Sequence, residues 1–138
     1  MRVPVGIEEI KTVYGDPDKN GDLSPDQDFI QDNLVKVPLP YPLRINWNRD
    51  LRSFNLYGHR LAVDRICRFF ENVADYYGGH QALQDRDLDI WDGCYAFRAK
   101  RGQRALSVHS WGIAFDYLPH LGPMGEVSRV PEEIVAIG

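Results

Sequence analysis

The chain has 138 residues, 43% of them hydrophobic and 26% charged, which suits one water-soluble globular domain over residues 1–138 and argues against a disordered or collagen-like chain. Sixteen Lys and Arg against twenty Asp and Glu leave a net charge of −4, and no Lys/Arg run reverses it, which argues against a nucleic-acid binder. The longest apolar stretch, Val35 to Ile45, is broken by Pro38, Pro40 and Pro42 and does not reach the length of a membrane span.

The opening Met1-Arg2-Val3-Pro4-Val5-Gly6 has neither the apolar core nor the cleavage site of a secretory signal, so synthesis in the cytoplasm is expected. Cys67 and Cys94 are too few for a disulfide framework and are expected as reduced, buried thiols.

Taken in chain order, Gly6 to Tyr14 predicts a short helix with Ile7, Ile10 and Tyr14 on one face and Gly15 ending it. The acidic stretch that follows matches the opening of a calcium loop. Asp16, Asp18 and Asn20 supply oxygens at positions 1, 3 and 5, Gly21 stands at position 6, and Asp22, Leu23 and Ser24 follow. Position 12 is Gln27 in place of a bidentate Glu, which predicts weak calcium binding, and Pro25 is awkward for an exiting helix. The competing reading is an acidic solvent loop that turns at Asn20-Gly21.

Residues 35 to 48 are proline-punctuated and extended, with Trp47 near their end. A helix is expected from about Gly58 to Tyr77, where Ala62, Ile66, Phe69, Phe70, Val73 and Tyr77 recur at three- and four-residue steps, with Gly78-Gly79 as the stop. His59 at the helix start and His80 in the turn after it read as structural or solvent-exposed. Cys94 to Arg98 and Gly112 to Tyr117 read as strands, the first ending at Lys100-Arg101-Gly102. The second carries Ile113, Phe115 and Tyr117 on one face and Ala114 and Asp116 on the other. Pro119, Gly122, Pro123 and Gly125 mark a loop, and Pro131-Glu132-Glu133 opens a last helix with Ile134, Val135 and Ile137 on its apolar side. This order predicts an α+β fold.

His109 stands just before the second strand, with Asp116 on it and Gly112 letting the backbone turn between them. An imidazole and a carboxylate converging on one point are two of the three protein ligands of a catalytic zinc site. The same pair could serve as a hydrogen bond that pins a loop, and spacing alone leaves both open.

The segment Ser107 to Asp116 reads Ser-x-His-x-x-Gly-x-Ala-x-Asp, and in all five fixed positions it resembles the signature of the zinc D-alanyl-D-alanine carboxypeptidases and their relatives. These include phage endolysins that cut the L-alanyl-D-glutamate bond. Asp92 to Arg98 and Arg101-Gly102 resemble the strand and loop ahead of that motif. The resemblance implies a Hedgehog/DD-peptidase-like fold, with helices packed on one side of a small, mainly antiparallel sheet and a metal cleft on the other. It further implies that His109 and Asp116 ligate zinc, that Arg98 holds a substrate carboxylate or polarises the scissile carbonyl, and that Ser107 orients the substrate. Without the resemblance, a surface salt bridge to Asp92 is an equal reading for Arg98.

The family places its third zinc-ligating histidine and its general base near the C-terminus, after a further helix and strand. Here Gly138 falls in what corresponds to the preceding helix, so the expectation is a domain missing that last segment. His120, in its proline loop, is a poor substitute ligand, and Glu132 and Glu133 read as first-turn helix residues. Weak zinc binding and slow or absent hydrolysis follow. The expected function is thus that of a peptidoglycan stem-peptide peptidase, phage-lysin-like or virion-associated. The alternative is a non-catalytic wall-binding or virion structural domain on the same scaffold.

Overall fold

The computed structural model describes residues 6–100, 105–122 and 128–137. Its elements are α1 (Ile7–Tyr14), α2 (Gln27–Asn33), β1 (Leu34–Ile45), β2 (Asn48–His59), α3 (Val63–Tyr77), α4 (His80–Asp85), β3 (Ile90–Gly93), β4 (Asp116–Tyr117) and α5 (Glu132–Ile137). Single 3-10 turns cover Val108–Trp111 and Pro119–Leu121. The fold is α+β. No described helix is long and apolar enough to cross a membrane.

The four strands form one mixed sheet in the order β2-β1-β3-β4. β1 runs antiparallel to β2 and parallel to β3, and β3 runs antiparallel to β4. The sheet is therefore not antiparallel throughout. The long β1–β2 hairpin breaks register between Pro38 and Leu43, because Pro40 and Pro42 carry no N–H for the ladder and the extra residues bulge out.

α3 lies against this sheet. Its buried Val63, Ile66 and Phe70 share a cluster with Leu39, Leu43, Leu56 and Trp91, and Val73 joins a second cluster with Leu83, Leu88, Leu118 and Ile134. Its expected apolar stripe is present, and Gly78 ends it in the left-handed conformation at φ 95°. The start is five residues later than the periodicity placed it. Gly58 and His59 belong to β2, paired with Val35 and Leu34, so the ladder holds them out of the helix.

Other expectations also need correction. Cys94 to Arg98 is not a strand: β3 ends at Gly93, whose φ of 99° turns the chain. Of Gly112 to Tyr117, only Asp116 and Tyr117 pair, and Gly112 is left-handed at φ 73°. Ala114 joins Ile113 and Phe115 in lining one cleft, so the strict alternation of faces fails there. His80 opens α4 instead of lying in a turn. In α5, Ile134 is buried, Ile137 packs at the edge of the core, and Val135 is exposed. The Arg101-Gly102 part of the expected basic loop and the Pro123 and Gly125 positions lie outside the described residues.

Candidate metal centre

His109 is carried on the 3-10 turn Val108–Trp111. The Ser107 hydroxyl caps that turn by accepting from the His109 N–H at 3.3 Å. Trp111, fully buried, donates its indole N–H to the Gly15 carbonyl at 2.8 Å and fastens the turn to the end of α1. Gly112 then reverses the chain in the left-handed region. A Cβ there would stand 2.8 Å from the His59 nitrogen and 3.1 Å from the Gly58 Cα, so this close backbone approach demands glycine. The Gly112 carbonyl accepts from the His59 N–H at 2.9 Å.

The segment after β3 runs beside this turn. The Ala96 N–H donates to the His109 carbonyl at 3.1 Å, and the buried Ser110 hydroxyl both accepts from the Arg98 N–H at 3.1 Å and donates to the Arg98 carbonyl at 3.0 Å. Ser110 thereby sets where Arg98 stands relative to His109. The Arg98 side chain is exposed, and no ion pair with Asp92 occurs among those of the described residues.

His109 Nδ1 lies 2.8 Å from the Cys94 carbonyl oxygen. A carbonyl only accepts, so Nδ1 carries the proton and Nε2 of the neutral ring presents a lone pair. That Nε2 lies 3.3 Å from Asp116 Oδ1. A bare lone pair facing a carboxylate is repulsive, and a cation between them, proton or metal, removes the repulsion. Two donors each about 2.0–2.1 Å from a tetrahedral zinc lie about 3.3 Å apart, so the pair fits the ion.

Burial raises the Asp92 carboxyl, and the Asp116 charge adds to this while a hydrogen bond from Asn46 opposes it. Asp92 Oδ1 is buried without a hydrogen-bond partner. Burial also pushes the Cys94 thiol up to about 12, again helped by Asp116. Asp116 is thus the negative charge that both groups register, and burial keeps the Cys94 thiol protonated. A cleft of about 340 Å³ opens next to Asp116, lined by Phe115, Tyr117, Leu118 and Pro119 among others.

Among the described residues, no group of three or more His, Cys, Asp or Glu side chains is placed to hold a metal. His120 stands on the 3-10 turn after β4. Burial, together with the Arg49 charge, lowers its pKa, and its Nδ1 is buried without a partner.

The acidic loop ahead of α2 closes on itself. Asp18, almost fully buried, accepts from the N–H groups of Asp22 (3.2 Å) and Leu23 (3.0 Å), and Asp16 accepts from the Asp18 N–H at 3.0 Å. Asp22 accepts from the Ser24 N–H at 3.0 Å, and Asn20 is exposed. The exiting helix forms despite Pro25, which lies two residues ahead of it.

Of the two cysteines, Cys94 is buried as expected, whereas Cys67 is only partly so; both are free thiols. Three contributors to the site escaped the sequence reading: the Cys94 carbonyl, the Ser110 hydroxyl and the Trp111 indole. A serine and a tryptophan inside the motif were visible, but their partners lie 12 and 96 residues away. Comparison with protein-family models, with curated proteins and with solved structures finds no match for this chain.

Proposed function

We propose that this chain is a metallopeptidase scaffold of the Hedgehog/DD-peptidase type, with His109 and Asp116 as zinc ligands and a peptidoglycan stem peptide as its substrate. The observation that carries the reading is the His109–Asp116 pair: a ring tautomer set by the Cys94 carbonyl, and a free Nε2 held 3.3 Å from a carboxylate oxygen. Bound zinc supplies a Lewis acid for polarising a peptide carbonyl.

The remaining roles belong to the chain's own groups. Arg98, exposed and anchored through its backbone to Ser110, offers a guanidinium fork to the carboxylate of a stem peptide. Ser107, whose hydroxyl oxygen caps the His109 turn, takes the substrate-orienting role. The cleft beside Asp116 gives the peptide room. With two ligands identified, zinc is held weakly and hydrolysis is slow or absent.

The test is zinc titration of the full chain by calorimetry, paired with incubation on purified muropeptides. Saturable zinc binding that is lost in His109→Ala supports the reading, and cleavage products would place the bond cut. Zinc binding without cleavage points to a wall-binding role for the scaffold. Zinc affinity unchanged by His109→Ala overturns the proposal.

A further inference from the structure

A second cavity, of about 440 Å³, lies between α1, α3 and the loop leading into β4. Its size is within the range of small-molecule sites, about 300–1,000 Å³. Ile10, Ile66, Phe69, Ile113 and Ala114 make its wall apolar. The polar side chains lining it are Tyr14 and Arg65.

These two are arranged as donors. An Arg65 N–H donates to the Tyr14 hydroxyl oxygen at 2.8 Å, so the phenol keeps its own proton to give away. No acceptor for that proton occurs among the described residues, and neither does a carboxylate partner for Arg65. Tyr14 is buried, at 3% exposure, while Arg65 is exposed, so the cation stands where the cleft meets water. The cleft therefore combines an apolar wall, one buried O–H donor and one unpaired guanidinium, with no anionic side chain in its lining.

We propose that this cleft binds a small amphipathic carboxylate, its hydrocarbon part against Ile66 and Ile113 and its head group on Arg65 and Tyr14. A carboxylate complements this pair because it accepts two hydrogen bonds and carries the missing charge. The proposal does not rest on the zinc reading. Phe115 nevertheless lines both this cavity and the cleft beside Asp116, so an occupant touches a wall of the candidate metal centre.

The test is a methyl NMR titration of the full chain with octanoate and, separately, with uncharged 1-octanol. Octanoate is expected to shift the methyls of Ile10, Ile66, Ile113 and Ala114 saturably. Arg65→Gln removes the charge from an exposed position. It should weaken octanoate roughly tenfold, as loss of a charge-assisted hydrogen bond does, and leave 1-octanol unchanged. Tyr14→Phe should also weaken octanoate selectively. Shifts that do not saturate, shifts outside the cleft, or equal weakening of both probes by Arg65→Gln would overturn the proposal.

Discussion

Cys94 and His109, fifteen residues apart, are joined by a hydrogen bond from the imidazole Nδ1 to the main-chain carbonyl at 2.8 Å. The bond turns the other ring nitrogen toward Asp116 and leaves it without a proton in the neutral ring. The partner is backbone, so the lock does not depend on the Cys94 side chain; the thiol itself points to the Gly112 carbonyl at 3.5 Å. Side-chain identity at 94 matters for packing, and chain path matters for the imidazole.

Removing either donor of the pair should therefore weaken metal binding without unfolding the domain. His109→Ala and Asp116→Asn are each expected to lower zinc affinity by at least about tenfold, since affinity accumulates over placed ligands. Calorimetry reads the affinity and near-ultraviolet circular dichroism the fold. Asp116 is half exposed, so its replacement should leave stability within about 0.5 kcal/mol.

Gly112→Ala should be costly in a different way. It places a Cβ 2.8 Å from the His59 nitrogen in a residue at φ 73°. Backbone strain plus disturbance of the His59–Gly112 hydrogen bond should amount to about 2–4 kcal/mol, read as a lowered urea midpoint. Gly58→Ala, with its Cβ 3.0 Å from the Gly112 carbonyl, should push on the same contact.

The Arg44–Asp89 pair ties β1 to the start of β3. Two guanidinium nitrogens reach the buried Asp89 carboxylate at 2.6–3.1 Å, while the exposed Asp87 takes a further contact at 2.9 Å. Asp89→Ala leaves the half-buried Arg44 guanidinium with only the exposed Asp87 as its carboxylate partner and should cost about 2–3 kcal/mol. Asp87→Ala should cost less than about 1 kcal/mol. Denaturant unfolding of the two variants distinguishes them.

His59 makes folding sensitive to acid. Its Nε2 lies 2.8 Å from the Tyr14 carbonyl and so holds the proton, while Nδ1 accepts from the Leu61 N–H at 3.1 Å. Burial lowers its pKa, the Tyr14 hydrogen bond opposes this, and the Arg60 charge adds to it. The unfolded chain, at about pKa 6.5, takes up the proton first as pH falls. The stability from a neutral His59 is thus full above about pH 6.5 and lost as pH falls toward the folded pKa. Unfolding free energies measured between pH 8 and 5 should slope less in His59→Gln than in the parent chain.

What was legible in the sequence was local. The α3 stripe declares itself because Ile66, Phe70 and Val73 recur at helical spacing, and Gly78 ends the helix because glycine takes the left-handed cap at φ 95° that L side chains disfavour. α1 and the proline-opened α5 were readable for the same reason. The candidate ligands His109 and Asp116 were named from their motif, and the fold brings them within 3.3 Å.

Where strands begin and end was not legible, because a strand is defined by its partner. β3 stops at Gly93 although Cys94 to Arg98 has strand-like composition, since the following backbone bonds to the His109 turn instead of a ladder. Gly58 and His59 fit the helical pattern until β1 claims them. The sequence by itself determined the apolar stripe of α3 and offered His109 and Asp116 as candidate ligands. Only the tertiary structure decided the tautomer of His109, the exposure of Arg98 and the contact of Gly58 with Gly112. Each of those involves a group brought from at least twelve residues away, which local periodicity does not encode.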